Sequence, residues 1–320
     1  MPNIPARIHF YWTGPSLPWP YAYAVRSAAV NGDVDEVVFH HTDEIVDRAQ
    51  WEFIGATPKT EARRLDSEAV LRSIPTCGPA LVELHRRVQK PVARSNILRA
   101  AILWREGGVY LDLDTVTVRS LRPLLAASAF VGEEHIVRPH FVHTSGSRWL
   151  RFHATLLSTV REGLRRLPRG YRVFRQLAPL YYKAINGAVL GAEQHHPLLE
   201  QYLTAMVTLP AERQLKQFGL GTHLLQQVVA DYLARPQHAG ERPLVVHAPH
   251  VLYPLGPEIS EHWFRRYRGV DLAEVLAPET RVVHWYGSVG TRKLEKLLTP
   301  DFVLGNATRR LYCSAVAPLL

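Results

Sequence analysis

The sequence predicts an α/β protein built on a mostly parallel sheet flanked by helices. The opening of the chain carries the prediction. Arg7-Ile-His-Phe-Tyr-Trp12 is a β-rich run closed by Thr13-Gly14-Pro15, Tyr21 to Val30 is helical and stops near Asn31-Gly32, and Glu36-Val-Val-Phe-His40 is a second strand. A strand, a helix and a strand in that order pair in parallel through a crossover helix. The 320 residues are enough for one enlarged α/β domain or for a core with an added lobe.

Further elements follow in order. Residues from about Thr60 to Gln89 read as mostly helical, interrupted by Pro75 and Gly78-Pro79. Ser95 to Arg105 has helical periodicity, with Ile97, Leu98, Ala101, Ile102 and Trp104 at apolar positions, and Gly107-Gly108 ends it. Val109 to Asp114 then reads as a strand. Its alternation puts Val109, Leu111 and Leu113 on one face and Tyr110, Asp112 and Asp114 on the other. Residues 138–175 shift in composition: nine arginines from Arg138 to Arg175 stand among few acids, as expected of an inserted helical lobe. Tyr182 to Leu190 returns to the sheet, Pro197–Val207 and Thr222–Ala234 are helical, and Leu244–His247 and Arg281–His284 are later strands.

Composition narrows the function classes. Hydrophobic content of 47% and charged content of 21% suit a globular protein whose core needs no disulfide staples. Two distant cysteines, Cys77 and Cys313, favour a reducing compartment. No signal peptide is expected at the N-terminus and no apolar run is long enough to span a bilayer, so a cytoplasmic location is expected. The net charge of +9 comes mainly from arginine and suits an anionic ligand: a nucleotide diphosphate, a phosphorylated acceptor or an acidic membrane face. Nucleic acid is not expected, because no Cys/His finger, RNP-like aromatic pattern or basic heptad accompanies the charge. Oligomeric state is not readable.

The chemistry concentrates at Asp112-Leu113-Asp114. Two carboxylates on one strand face start about 6–7 Å apart. That is too far to share one proton and suits one hard cation with oxygen ligands. Such an ion neutralises a diphosphate leaving group. An Asp-x-Asp alone means little. Here it ends an apolar strand directly after Gly-Gly and an arginine-bearing helix.

In Ser95-Asn-Ile-Leu-Arg99, Gly107-Gly-Val-Tyr-Leu-Asp-Leu-Asp114 and Asn186-Gly-Ala the sequence resembles the DXD glycosyltransferases of the GT-A fold, in the sugar-binding-region group. That group includes Golgi α-mannosyltransferases and α-1,4-galactosyltransferases, and the large glucosylating toxins share its core. The resemblance implies a Rossmann-like nucleotide-binding half and retaining transfer from a UDP- or GDP-sugar, UDP favoured, with Mn²⁺ or Mg²⁺. The sugar would be a hexose or N-acetylhexosamine, and the acceptor a small molecule or a protein. Asp112 and Asp114 would hold metal, ribose and diphosphate, with Arg99 near the donor sugar or diphosphate. Phe10, Tyr11 and Trp12 lie where the family's first strand packs on the base, Trp12 being the choice for stacking. Tyr110, on the face of the acids, joins the donor-binding set. Asn96 departs from the family's commoner aspartate; a neutral amide both donates and accepts, which puts the sugar identity in doubt. Asn186 resembles the family's asparagine near the sugar, and Gly219-Leu-Gly221-Thr222 an acceptor-side loop. Near the C-terminus, His284 is the candidate third metal ligand, and Trp285 and Ser288 are candidate diphosphate contacts.

The remaining expectations concern roles. The whole chain, 1–320, is expected to be one GT-A domain, with 138–175 as an acceptor-side lobe whose arginines, Arg165, Arg166 and Arg169 among them, clamp an anionic acceptor. His140/His143 and His247/His250 read as surface or packing residues. No acid stands out as a covalent nucleophile, and Glu133-Glu134 is placed on a loop. Two other readings are a metal-dependent phosphohydrolase, which would need a second acidic cluster, and a non-catalytic module binding an anionic partner.

Overall fold

The computed structural model describes residues 3–216, 218–236, 243–287 and 294–320. Nine strands form among them: β1 (Arg7–Trp12), β2 (Glu36–His41), β3 (Thr60–Arg64), β4 (Gly108–Leu111), β5 (Thr115–Thr117), β6 (Ala129–Ile136), β7 (Tyr182–Ala192), β8 (Leu244–His247) and β9 (Val282–His284). Seven of them make one sheet in the order β3-β2-β1-β4-β7-β6-β8, and β5 and β9 form a separate two-stranded ribbon. The pairs β3/β2, β2/β1, β1/β4 and β6/β8 are parallel, while β7 runs antiparallel to both of its neighbours. The expected mostly parallel α/β sheet is therefore present, and the β1-helix-β2 opening is its parallel start.

Helices cover both faces. One apolar layer joins helix Trp19–Asn31 to Ile8, Phe10, Val37, Phe39, Val109 and Leu111. The other joins helices Gly78–Arg87, Pro91–Glu106, Pro197–Thr208 and Thr222–Leu233 to Tyr11, Tyr110, Val131 and Leu190. A sheet buried on both faces needs no polar alternation, which is why Phe39 and Val38 both stay at full burial. A third layer packs the C-terminal helices and the ribbon around Trp263, Trp285 and Tyr312.

Three expectations need correcting. Thr60–Arg64 is not helical but an edge strand; its Thr-Glu-Ala-Arg-Arg sequence keeps an exposed edge charged. Glu133-Glu134 is not on a loop but lies in β6, paired with Ile185 and Ala184. Arg165 and Arg169, expected in an open clamp, are tied to the fold instead. The 138–175 segment is a helical excursion between β6 and β7, with helices His140–Thr144, Arg148–Arg166 and Gly170–Leu177. Arginines of its C-terminal half pin it to the rest of the fold. Arg161 pairs with the buried Glu258 at 2.8 Å, Arg165 bonds the Glu258 and Pro257 carbonyls, and Arg169 and Arg172 converge on Glu274. Composition shows a basic segment but not where the matching acids sit, about a hundred residues downstream. Cys77 and Cys313 are both free thiols in the interior. No described helix is long and apolar enough to cross a membrane.

Under the sheet, His9 and His40 form a buried polar pair. His9 Nε2 lies 3.0 Å from the Gly107 carbonyl, which can only accept, so that nitrogen carries the hydrogen. His9 Nδ1 then accepts from His40 Nε2–H at 3.0 Å. Burial, with Arg7 and Arg63 nearby, lowers His9 to about 3 and His40 to about 2. Both stay neutral in the folded protein while the unfolded chain takes up protons near pH 6.5. Stability from this pair is thus complete above pH 6.5 and is lost as the pH falls toward the folded values. The expected loss is up to about 1.4 kcal/mol per pH unit for each histidine. In thermal melts between pH 7 and 5, His40→Gln should decline less steeply than the wild type by up to one such increment. Parallel declines would contradict the neutral-pair assignment.

Candidate donor and metal site

Helix Pro91–Glu106 delivers the site to the end of β4 through two glycines. Gly107 has φ 64° and Gly108 φ 101°, both in the left-handed region. A Cβ on Gly107 would lie 2.8 Å from the Gln194 nitrogen and one on Gly108 2.7 Å from the Arg7 carbonyl oxygen. Only glycine permits this tight entry into a central strand. Val109, Leu111 and Leu113 then face the layer under helix Trp19–Asn31, and Tyr110 the opposite one, as the alternation predicts.

The strand does not continue through the acids. It ends at Leu111, the Asp112 N–H donates a last bond to the Ala188 carbonyl at 2.8 Å, and Asp112 to Thr115 make a turn. Thr115 closes it, with its N–H and hydroxyl both donating to the Asp112 carbonyl. The turn reverses the chain into β5, which pairs antiparallel with β9 and sets Thr115 opposite His284. As a result Asp112, Asp114 and His284 each offer a ligand atom within 4.8 Å of the others. A straight strand would hold the two acids farther apart.

Each acid has its own partner. Arg99 Nη2 donates to Asp112 Oδ1 at 2.5 Å, while Arg99 Nη1 donates to the Gly187 carbonyl. The guanidinium is 6% exposed and sits over the Tyr110 ring at 4.8 Å. Asp114 Oδ1 lies 3.0 Å from His284 Nε2, and Asp114 Oδ2 accepts the Gly287 N–H at 2.8 Å. Burial lifts the Asp112 carboxyl to about 6 against the pull of Arg99, with the Asp114 charge adding to the lift. Burial also works against the Asp114 charge, but His284 and the Gly287 N–H hold that carboxyl below its ordinary value. In turn, burial opposes a charge on His284, and Asp114, Asp112 and Glu134 outweigh it and raise the imidazole. His284 Nδ1 is buried without a partner among the described residues. Two carboxylates, a histidine and an unmatched ring nitrogen suit a divalent cation.

A bulge in β7 completes the surroundings. Between Val131/Leu190 and Gly132/Asn186 the β6–β7 register slips, so that residues 187–189 leave the ladder. Gly187 and Ala188 thereby turn their carbonyls to Arg99 and Asp112. Asn186 sits at the bulge, its Oδ1 accepting the Ala188 N–H and its Nδ2 donating to Glu134 Oε2 at 2.5 Å. Asn96, 8% exposed, projects from the helix toward Gly221, where a Cβ would lie 2.8 Å from its amide nitrogen. Asp112, Asp114, His284, Arg99, Asn186 and, next to Arg99, Tyr110 are thus brought together.

Others are not. Phe10 is fully buried in the layer under helix Trp19–Asn31 and offers no face to a base, because β1 is covered on both sides. Tyr11 is buried in the opposite layer. Trp12, at the strand end, is half-buried, with its indole N–H on the Gly14 carbonyl and its ring 5.0 Å from Tyr21. Trp285 is fully buried between Tyr21, Phe264 and Tyr312 and anchors the segment rather than presenting its ring. Ser288 lies outside the described residues. His140 stacks on His223 and His247 meets the Phe130 ring edge-on, both as packing residues. The sequence reading missed Glu134 and Tyr286, whose hydroxyl donates to Glu134 Oε2 at 2.8 Å. The apolar Ala129-Phe-Val run before Gly132 was the available sign that Glu134 belongs to a strand.

Residues 26–131, which span Asn96, Arg99 and both acids, match a family model described as the glycosyltransferase sugar-binding region containing DXD motif. Over this segment, about a third of the chain, the protein is similar to that family. The acids of the turn lie within it, and the seven-stranded, mostly parallel sheet of the chain is the arrangement the GT-A resemblance implied. No curated protein matches the chain. Among solved structures, the chain is similar to PaToxG glycosyltransferase at 14% identity, covering 72% of this chain and 70% of that one with a TM-score of 0.47. It is also similar to mouse xyloside xylosyltransferase 1 at 15% identity, with 88% and 98% covered and a TM-score of 0.47. For the ligand-free glycosyltransferase domain of the YGT toxin the values are 10%, 73%, 78% and 0.42. These likenesses are of outline only.

The raised His284 and Asp112 values set a pH dependence for metal binding. Below its raised value His284 carries a proton that an ion must displace, and Asp112 takes up another near pH 6. Affinity for Mn²⁺, titrated by calorimetry, should fall between pH 7 and 5 by about tenfold per pH unit for each proton displaced. Proton release should appear in buffers of different ionisation enthalpy. An affinity that does not change over this range would contradict the assigned ligands.

Proposed function

We propose that the protein is a metal-dependent glycosyltransferase that moves a sugar from a nucleotide-sugar donor, UDP favoured, to its acceptor with retention. The observation that carries this reading is the Asp112–Asp114–His284 cluster at the end of a central strand, its two acids inside the matched DXD region. Asp112, Asp114 and His284 would hold Mn²⁺ or Mg²⁺, which when bound supplies charge neutralisation at the diphosphate. Arg99 fixes Asp112 and adds a buried positive charge on the same side. Trp12 is the stacking ring for the base, and Asn96 and Asn186 are the neutral amides for sugar hydroxyls.

Retention by a covalent glycosyl-enzyme needs an ionised carboxylate free to attack. Glu134 is the buried acid beside Asn186, but burial raises it toward the neutral form and Asn186 and Tyr286 both occupy one of its oxygens. Same-face departure, with the leaving diphosphate helping to deprotonate the acceptor, therefore fits better. The protein then contributes positioning and charge stabilisation. The chain acts in this reading as one domain, 1–320, with 138–175 on the acceptor side. In support, His140 of that segment stacks on His223 at 4.6 Å, directly after the Gly221–Thr222 loop that faces Asn96.

Nucleotide sugars screened for Mn²⁺-dependent hydrolysis should give one preferred donor class. Asp114→Asn should lower that rate at least about a hundredfold, several kcal/mol of transition-state stabilisation, in a protein that melts normally. Near-normal turnover in the folded variant would remove Asp114 from the metal. Asn96→Asp should reorder the sugars while leaving UDP affinity within about twofold, since the change lies at the sugar and an amide-to-carboxylate swap mainly alters hydroxyl donors and acceptors. Loss of UDP binding with an unchanged sugar ranking would place Asn96 elsewhere.

A further inference from the structure

Helix Arg148–Arg166 is apolar on two sides. Ala154, Leu157 and Leu164 face the interior and are committed to the fold. On its outward side Trp149 is 69% exposed, Phe152 60% and Leu156 51%. Spacings of three and four residues put these on one ridge, and the Trp149 and Phe152 rings lie 5.8 Å apart. Three large apolar side chains projecting from one helix are more than the scattered exposure of an ordinary surface.

The charge beside this ridge has one sign. Residues 135–161 contain no aspartate or glutamate. Arg148 and Arg151 lie on the same outward arc and are exposed. They differ from Arg161, Arg165, Arg169 and Arg172 farther along, which hold the excursion to Glu258 and Glu274. The basic residues of this segment therefore divide by place. Those at the C-terminal end bind the fold, and those at the N-terminal end flank exposed aromatics.

We propose that the outward face of helix Arg148–Arg166 docks the protein on an anionic lipid surface. Tryptophan, phenylalanine and leucine beside arginine are the side chains that settle at the boundary of headgroups and acyl chains. The arginines meet acidic headgroups while their stems extend along the apolar layer. The shape favours a bilayer as occupant, since a projecting helix ridge inserts into a deformable interface, whereas a folded partner would have to supply a matching acidic groove. No described helix can span a bilayer, so the attachment is peripheral. It is independent of the chemistry proposed for Asp112 and Asp114.

Cosedimentation with phosphatidylcholine vesicles, with and without phosphatidylserine, at physiological ionic strength tests the proposal. Binding is expected only to the vesicles containing phosphatidylserine. Arg148→Gln and Arg151→Gln should each weaken it about fivefold. The double variant Trp149→Ser/Phe152→Ser should weaken it about tenfold or more, with an unchanged thermal melt because both side chains are exposed. Failure of the wild type to bind acidic vesicles would overturn the proposal. So would equal binding by the Trp149→Ser/Phe152→Ser protein, which would reduce the effect to adsorption of a chain with net charge +9. A self-association in sedimentation velocity that this double variant abolishes, without vesicle binding, would assign the ridge to a second copy of the chain instead.

Discussion

The buried guanidinium of Arg99 is the interaction on which the rest of the site depends. It reaches from helix Pro91–Glu106 to Asp112 in the turn and to the Gly187 carbonyl in the β7 bulge, over the face of Tyr110. Three elements distant in sequence meet at one charge. A cation this far from water is tolerable only with anionic and carbonyl partners on it, so the turn and the bulge must adopt the shapes that supply them. The bulge in β7 is thus part of the charge arrangement and not a local irregularity.

A second tether acts from the opposite side. Asp114 is held by three contacts from the C-terminal segment: His284 on one carboxylate oxygen, the Gly287 N–H on the other, and the Trp285 N–H on its own carbonyl. Trp285, buried among Tyr21, Phe264 and Tyr312, gives that segment a fixed root in the third apolar layer. Residues 170 positions apart in sequence therefore converge because β5 and β9 form a ribbon beyond the main sheet. Asp112 answers to the sheet and Asp114 to the C-terminal layer, which is why the two carboxyls shift in opposite directions: burial lifts Asp112, while His284 and the Gly287 N–H outweigh burial at Asp114.

Much of this was legible in the residues. The opening strand, helix and strand, the Gly-Gly stop, the alternation of Val109, Tyr110 and Leu111, and the later strands at Leu244 and Val282 all follow local patterns of hydrophobicity and turn chemistry. His284 could be named only through the resemblance, as the histidine of the C-terminal segment that closes the donor site in related enzymes. What the sequence hid depends on long-range partners. Nothing local distinguishes an arginine bound for Glu258 from one facing solvent, so Arg161 and Arg165 looked alike to Arg148 and Arg151. Phe10 and Trp285 looked like ligand-facing aromatics because burial on both faces of a strand, or within a third layer, is a property of the packed whole. The turn at Asp112 was read as strand because Leu113 keeps the alternation going past the point where the ladder stops.

The central claim is that Asp112, Asp114 and His284 share one cation. Pulsed electron paramagnetic resonance on the Mn²⁺-loaded protein reads that directly, since a coordinated imidazole nitrogen couples to the electron spin. The account predicts a single bound Mn²⁺ with a nitrogen coupling that disappears in His284→Ala and persists in His247→Ala. A nitrogen coupling that survives His284→Ala, or an Mn²⁺ signal with oxygen ligands alone in the wild type, would contradict it.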